Sequence, residues 1–258
     1  MLRAIQTGAS GLTAAAHGLG VLANNVANVN THGFKGRQVV FAELVNQELR
    51  QADLPVRPED PPRIGQGTAA TMDYVDFGSG NLILTGRDLD LAIAGSGFFA
   101  LELPSGELIL TRDGSFQPGP GGTIVHAVSG YPLYPAVKIP ADAASVKVTP
   151  TGQVKAIMPD GKETVLGQIQ LYQVTNPDYL QPAGHNFFRL AGGVIQAKTA
   201  DPGTEGAGII RAGFVEASNV DLGMEMARVI IMSRAYQIAA RSVSISDEMW
   251  GLANNIWR

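Results

Sequence analysis

The sequence predicts an α+β fold in which N- and C-terminal helices pair as a coiled-coil-like layer and the middle of the chain forms a mainly antiparallel β body. Both chain ends carry apolar residues in a 3,4 alternation, the spacing at which one helix packs along another. Between them lie short apolar runs separated by Gly-containing turns, which are typical of β-strands. The alternating positions are Leu2, Ile5, Ala9, Leu12, Ala16, Leu19, Ala23 and Val26 at the N-terminus, and Met224, Ala227, Ile231, Ala235, Ile238, Ser242, Ile245, Met249, Leu252 and Ile256 at the C-terminus.

The N-terminal helix is predicted to run from about Leu2 to Val29. It contains four interior glycines, each of which costs about 1 kcal/mol relative to alanine, and an isolated helix of this composition is therefore unstable. Burying a large apolar side chain returns ~1.5–3 kcal/mol. We expect the helix to form only when its apolar face is covered, and the N-terminus to be disordered in the free monomer. The glycines are Gly8, Gly11, Gly18 and Gly20.

The opposite face of this helix is polar but nearly uncharged. That composition favours a partner helix over a membrane surface, where Lys and Arg are expected. The helix ends in an Asn-rich segment from Asn24 to Phe34, because Asn tolerates left-handed backbone conformations and Gly33 is a typical helix stop. This segment is either a capped helix end with a turn or a specialised joint between the helical and β layers. The polar face consists of Gln6, Thr7, Ser10, Thr13 and Asn24.

The remaining elements follow from local patterns. Residues 37–49 are predicted to form a short helix in preference to a strand, and Gln51 to Gly67 a Pro-rich linker. Strands and turns are expected from Thr68 to about Arg211, with a last strand from Ile209 to Val215. Ser218 or Asn219 is expected to cap the C-terminal helix, with Asp221 near its positive end.

The composition indicates a surface covered by other molecules. Charged residues make up 16% of the chain, against about 25% in typical proteins. The net charge of −4 comes without a basic cluster, which argues against nucleic-acid binding. The absence of cysteine excludes disulfides, thiol nucleophiles and Cys-ligated metals.

Targeting signals are also lacking in the sequence. The sequence contains no run of 18 or more apolar residues, so no membrane span is predicted. With Arg3 as its lone cation, the N-terminus is not typical of a signal peptide. A role outside the cytoplasm would therefore need an export route without a cleaved leader.

A search for catalytic or metal-binding patterns finds no specific signal. The histidines, at His17, His32, His126 and His185, are far apart and lack metal-ligand spacing. No nucleophile elbow, phosphate-binding loop or dinucleotide fingerprint is present. We therefore predict no catalytic residue, no metal site and no cofactor.

Three aspartates keep an enzymatic alternative open. Asp88 and Asp90 would share one face if they lay in a strand, as a converging carboxylate pair requires, although a solvated turn leading into a strand is favoured. Asp113 is interpreted as a turn former. The alternative is a secreted β-rich carbohydrate-active enzyme or adhesin. Two aromatic residues of the C-terminal helix, Tyr236 and Trp250, fit interface anchors and packing against the β layer equally well.

Six segments of the chain carry a family resemblance: Ala23 to Lys35 followed by Phe41, Leu89 to Phe99, Thr111 to Phe116, Gly213 to Asp221, Arg234 to Tyr236, and Asp247 to Met249. In this order they resemble the signatures of the bacterial flagellar axial proteins, which form the rod and hook. The resemblance covers nearly the whole chain. The motif positions singled out are Asn24, Asn25, Asn28, Asn30, Gly33, Phe34, Ser218, Asn219, Arg234 and Tyr236.

The resemblance implies a structural subunit that self-assembles into a helical tube and transmits torque from motor to hook. Length and central motifs are most similar to distal rod subunits. A short Pro-rich segment from Leu54 to Pro62 stands where those subunits often carry a longer stretch. Another axial subunit, of the proximal rod or hook type, is therefore the alternative.

The implied partners are further copies of the chain, other rod subunits, the hook protein, surrounding ring proteins and the flagellar type III export apparatus. Neither nucleic acid nor membrane insertion is implied. The implied location is the basal body, outside the cytoplasm in the periplasm, without a cleaved signal peptide.

Together, the patterns and the resemblance predict three parts of the molecule. Residues 1–31 and 217–258 form a helical core-tube domain, residues 32–84 and 208–216 a connecting segment, and residues 85–207 a β-rich outer domain. Assembly is expected to depend on the apolar seams of the two helices. The seam residues are Ile5, Leu12, Leu19, Val26, Ile231, Ile238, Ile245 and Leu252.

Overall fold

The computed structural model describes residues 2–44, 47–48, 63–190, 197–204 and 206–256. Within these residues it has two α-helices, α1 (Leu2–Ala27) and α2 (Leu222–Ile256), and twenty strands. The prediction of an α+β fold with a helix at each end is confirmed. The strands are β1 (Arg37–Glu43), β2 (Gln47–Glu48), β3 (Arg63–Ile64), β4 (Thr68–Val75), β5 (Leu82–Leu84), β6 (Leu91–Ala94), β7 (Phe99–Glu102), β8 (Leu108–Thr111), β9 (Phe116–Pro118), β10 (Ile124–His126), β11 (Leu133–Tyr134), β12 (Ser145–Val148), β13 (Gln153–Ile157), β14 (Glu163–Gln168), β15 (Leu171–Val174), β16 (Gln181–Gly184), β17 (Phe187–Arg189), β18 (Ala197–Ala200), β19 (Ile209–Ala212) and β20 (Phe214–Glu216).

The described residues divide into two compact units. The first takes its residues from Met1–Ala27, Arg37–Asp76 and Asp221–Arg258, and the second from Asn28–Gly36 and Phe77–Val220. The first therefore holds both helices and the antiparallel pair β1–β4, and the second holds the β body. The chain passes from one unit to the other at four places in the sequence.

In the helical unit, α1 and α2 pack along each other in opposite directions. A Cβ atom at Gly8 would lie 2.6 Å from Val243 Cγ2, and one at Gly11 would lie 3.7 Å from Ala239 Cβ. Further along α1, Gly18 comes next to Met232, so the order of partners runs backwards along α2. Three of the four glycines that weaken α1 as an isolated helix thus allow α2 to approach closely, whereas Gly20 has nothing within 4 Å of an added Cβ.

A strand pair completes this unit, and here the sequence-based prediction was wrong. Residues 37–43 form β1 instead of a short helix, and they pair with β4 across a bulge between Val40 and Phe41. The β-branched and aromatic residues of β1 fit a pleated surface, and its partner comes from a distant part of the sequence. Most of the predicted Pro-rich linker, residues 51–62, lies outside the described residues.

The two ends of the helices also differ from the predictions. Helix α1 ends at Ala27 and not at Val29, because Asn28–Asn30 form a turn. Helix α2 begins at Leu222, and its cap is Asp221, whose Oδ1 accepts a hydrogen bond from Met224 N at 3.0 Å. Ser218 and Asn219 lie upstream of this cap.

The β unit is built from antiparallel pairs around one hydrophobic core. Its largest sheet has the strand order β11-β7-β8-β17-β16, and a second sheet has the order β12-β13-β14. The segment expected to form one last strand is divided into β19 and β20 by Gly213, which has a φ of 81°. The core side chains are Leu91, Ile93, Phe99, Leu101, Ile109, Phe116, Ile124, Leu133, Val137, Val146, Val148, Val154, Ile169, Leu171, Phe187 and Ile210.

Candidate assembly surface

The predicted apolar seam of α2 is exposed in the single chain. The exposed fraction is 67% for Ile231 and Ile238, 50% for Ile245 and 66% for Leu252. Helix α1 instead packs on the face of α2 that carries Met232, Ala239 and Val243. Met232 and Ala239 directly follow the seam residues Ile231 and Ile238. The seam therefore lies about 100° around the helix axis from the face that contacts α1. Because each of the four seam side chains is at least half exposed, we name this face the α2 ridge (Ile231, Ile238, Ile245 and Leu252).

The predicted seam of α1 is partly covered. Ile5, Leu12, Leu19 and Val26 are each half-buried. The most deeply buried apolar residues of α1 lie elsewhere on the helix, at Ala14, Ala15, Val21 and Leu22. The seam residues of α2 are thus placed beside the helix–helix contact, whereas those of α1 are half-buried within the chain.

Next to the ridge, the helical unit contains a cavity of about 280 Å³. Its apolar lining includes Leu22, Phe41, Ile231 and Met232. The surface of the neighbouring strand pair is apolar too, since Met72 and Phe41 are exposed. The sequence-based prediction placed assembly on the helix seams alone and did not include this strand pair.

Asn25 joins the end of α1 to the start of β1. Its side-chain Oδ1 accepts a hydrogen bond from Arg37 N at 2.9 Å, and its Nδ2 donates to Arg37 O at 2.8 Å. Nδ2 also lies 3.5 Å from Glu225 Oε2 on α2. Because the buried Asn25 amide bonds both the backbone N–H and the backbone C=O of Arg37, it fixes the start of β1 against the end of α1.

Other residues of the Asn-rich motif have local roles. Asn28 Oδ1 accepts a hydrogen bond from Thr31 Oγ1 at 3.2 Å. Asn24 and Asn30 are exposed. Phe34 is buried in the β unit, where Gly33 N donates to Glu216 O at 2.8 Å.

In the β unit, three motif segments meet at a buried charge cluster formed by Lys35, Arg112 and Glu216. Lys35 Nζ lies 2.7 Å from Glu216 Oε1, and Arg112 Nη1 lies 3.5 Å from Glu216 Oε2. All three side chains are at most 5% exposed. Lys35 and Glu216 are 181 positions apart, so no local sequence pattern predicts that they pair.

Backbone groups complete the charge cluster. Lys35 Nζ donates to Gly78 O at 2.8 Å, Gly80 N donates to Glu216 Oε1 at 2.9 Å, and Arg112 Nη1 donates to Gly95 O at 2.9 Å. Burial lowers the pKa of Arg112 below its ordinary value, and the charge and hydrogen bond of Glu216 offset part of that effect. An arginine with such a partner stays protonated. The cluster thus holds two cations against one carboxylate.

Asn219 adds a second link among the same segments. Its Oδ1 accepts a hydrogen bond from Gly36 N at 2.8 Å, and its Nδ2 donates to Gly78 O at 3.2 Å. Ser218 Oγ accepts a local hydrogen bond from Val220 N. On α2, Arg234 and the aromatic residues Tyr236 and Trp250 are exposed.

The three aspartates considered for catalysis lie in different surroundings. Asp88 is exposed in a turn, whereas Asp90 is buried and was wrongly expected to be solvated. Asp113 is buried as well, and its Oδ1 accepts hydrogen bonds from Ser115 N and Oγ, as expected of a turn former. Among the described residues, no group of three or more His, Asp or Glu side chains is arranged to hold a metal ion.

Asp113 also pairs with a buried histidine. Its Oδ2 lies 3.2 Å from His126 Nε2, while Ser129 N donates to His126 Nδ1. Burial by itself would raise the pKa of Asp113, but the hydrogen bonds that its carboxylate accepts from His126 and Ser115 outweigh burial and hold this pKa below its ordinary value.

This lowered pKa predicts an acid-sensitive contribution to stability. A carboxyl with a depressed pKa in the fold stabilises the protein above its unfolded pKa, about 3.9, and this contribution is lost as the pH falls through the folded pKa. We expect Asp113→Asn to flatten the fall in the free energy of unfolding below about pH 4, measured by urea titration. The exposed turn variant Asp160→Asn should leave that slope unchanged, and an equal slope in both variants would contradict the prediction.

Within the part of the chain that the structure describes, neither helix is long and apolar enough to cross a membrane.

Comparison with known proteins finds similarity along the whole chain. Residues 5–35 match the family model of flagella basal body rod proteins. Residues 92–156 match that of the D1 domain of the flagellar hook protein FlgE/F/G, and residues 211–256 match that of the C-terminal part of flagellar basal body rod FlgEFG proteins. The first match covers α1 from residue 5 onward, the last contains α2, and the middle one lies in the β unit.

Individual relatives match over nearly their full lengths. The flagellar basal-body rod protein FlgG of Borreliella burgdorferi is 35% identical over 266 residues, which cover 100% of both chains. FlgG of Bacillus subtilis is 35% identical over 259 residues, covering 96% of this chain and 97% of its own. FlgG of Agrobacterium fabrum is 34% identical over 255 residues, with the same two coverages.

Proposed function

Since this chain belongs to the FlgE/F/G family of flagellar rod and hook proteins, we propose that it polymerises through its helices into a helical tube that transmits torque from motor to hook. The chain is a FlgG-like structural subunit of the distal rod, and its family is structural, not enzymatic. It is a component of the flagellar basal body, where it assembles with other rod and hook components. The family membership supports this function over the enzyme or adhesin alternative.

The observation that carries the polymerisation proposal is the exposed α2 ridge. Its isoleucines and leucine are each at least half exposed in the single chain. Covering such a side chain contributes ~1.5–3 kcal/mol, so four per copy provide a substantial driving force for association. Large exposed apolar faces in soluble proteins mark interaction sites.

Contacts of this ridge with a different face of the next copy generate a filament. A heterologous contact that does not close into a ring repeats indefinitely along a helix. The apolar surface of the β1–β4 strand pair, where Met72 and Phe41 are exposed, is one such different face. Many repeated interfaces of this kind would give the shaft its stiffness.

We also propose a role for each of the three predicted parts of the chain. Residues 1–31 and 217–258 would form the core of the tube, residues 85–207 its outer layer, and residues 32–84 and 208–216 the connection. We propose that the chain acts outside the cytoplasm, in the periplasm, after export by the flagellar type III apparatus without cleavage. Its neighbours would be copies of itself, other rod subunits, the hook protein and surrounding ring proteins.

Photo-crosslinking tests the polymerisation proposal. A benzophenone-bearing amino acid in place of Ile238 is expected to join copies of this chain when isolated basal bodies are illuminated. Mass spectrometry should find peptides of the same chain on both sides of the link. The same variant diluted as a soluble monomer serves as the control and should give no such product. Links found only within one copy, in both samples, would refute the proposal.

A further inference from the structure

We propose that Lys35, Glu216 and Asn219, named here the connector clamp, are positioning residues. They hold three of the segments that connect the two units together as one joint. The inference rests on the proposed role as a rod subunit, in which force passes between helices and β body. It concerns residues inside the β unit, and it assigns to them a function beyond folding that unit.

The clamp lies where the chain changes units. Of the four divisions between the units, three fall after Gly36, after Asp76 and after Val220. Three clamp segments flank these places: Lys35 and Gly36, Gly78 to Gly80, and Glu216 to Asn219. Segments that are remote in the sequence are therefore tied together close to the points at which they leave the β unit.

Each clamp residue bonds to more than one of these segments. Lys35 Nζ contacts Glu216 Oε1 at 2.7 Å and Gly78 O at 2.8 Å. Asn219 bonds Gly36 N and Gly78 O, at 2.8 and 3.2 Å. Gly80 N donates to the same Glu216 oxygen that Lys35 contacts. The first, second and third connecting segments are thus linked in every pairwise combination.

The chemistry of the clamp argues for positioning over simple stabilisation. Removing two charges from water is costly, and an apolar pair of similar volume is often as stable as a buried ion pair. Apolar contact is nondirectional and permits several arrangements of the segments. Hydrogen bonds between a charged group and defined backbone atoms fix one arrangement. Independent extended segments would act as separate tethers, whereas the clamp makes them move together.

The glycines at the clamp support the same assignment. A Cβ at Gly80 would lie 2.0 Å from Ala217 O, and one at Gly36 would lie 3.2 Å from Val220 Cγ2. The second and first connecting segments therefore each lie directly against the third. Such close packing holds the three segments in direct contact around the clamp's hydrogen bonds.

Spin-label distance measurements on the full, unassembled chain test the clamp. The chain has no cysteine, so Met72→Cys and Lys147→Cys, both at exposed positions, place one label in each unit. We expect Asn219→Ala and Lys35→Met each to widen the distribution of label distances at least twofold. Asn219→Ala leaves no buried charge without its partner, so it remains informative even if Lys35→Met fails to fold.

Lys155→Met is the matched control, because Lys155 also pairs with a glutamate, Glu163, at 3.0 Å but on the exposed surface. This control should keep the unmodified width. Equal widths in Asn219→Ala and the parent, an equally broad parent, or the same broadening in Lys155→Met would each overturn the assignment. Assembly does not enter the measurement, so its outcome is separate from that of the crosslinking experiment on the polymer.

Discussion

Replacing Leu19 and Ile238 by aspartate is expected to block incorporation of the subunit into the rod and to abolish swimming, while the β unit stays folded. Ile238 is 67% exposed in the single chain, so its replacement removes little from the folded monomer. In the polymer the same position is expected to be covered, where an unpaired carboxylate costs several kcal/mol. The lost burial of each side chain adds ~1.5–3 kcal/mol.

The single variants separate assembly from folding. Leu19 is half-buried within its own chain, so Leu19→Asp alone can act through the monomer, whereas Ile238→Asp alone tests the exposed ridge. Ser244→Asp places the same charge on an exposed position of α2 about 120° around from Ile238. Spreading in soft agar and electron microscopy of basal bodies measure the outcome. Normal motility of the double variant would disprove a role of these seams in assembly.

The helical faces show how far periodicity alone can lead. The 3,4 alternation correctly located two helices, and the structure leaves the larger of its α2 residues, such as Ile231 and Ile245, exposed. It did not locate the contact between the helices, which uses Gly8, Gly11 and Gly18. Glycines add little to a pattern of apolar side chains. The spacings of three and seven positions between Gly8, Gly11 and Gly18 nevertheless indicate a common face of α1. Close backbone approach and apolar bulk are thus separate signals on the same helix.

The strand β1 and the connector clamp illustrate a different limit. A segment such as Val39 to Phe41 fits either a strand or a short helix locally, and the choice depends on β4, which pairs with it from a distant place in the sequence. The pairing of Lys35 with Glu216 is likewise a long-range contact. Motif resemblance marked both neighbourhoods as important, but a single sequence holds no information on which motif meets which.

Replacing Gly33 by alanine is expected to lower the free energy of unfolding of the β unit by about 2–5 kcal/mol, combining left-handed strain and overpacking. Gly33 has a φ of 64°, and a Cβ there would lie 2.4 Å from Asp113 N and 2.7 Å from Arg112 C. These are backbone atoms, which cannot rotate away as a side chain can. The substitution would therefore push the segment that carries Lys35 away from the strand turn that carries Arg112.

Two further glycines separate the causes of this loss. Gly130 has a similar φ of 72° but nothing within 4 Å of its added Cβ, so Gly130→Ala should cost only the left-handed strain, about 1–2 kcal/mol. Gly114 has an ordinary φ, but its Cβ would lie 1.5 Å from Leu91 O, so Gly114→Ala reports overpacking alone. Urea unfolding of the three variants gives the comparison. A Gly33→Ala cost no larger than that of Gly130→Ala would mean that the Asn-rich motif does not need its close contact with Asp113. In that case glycine would be required at this position for its backbone conformation only.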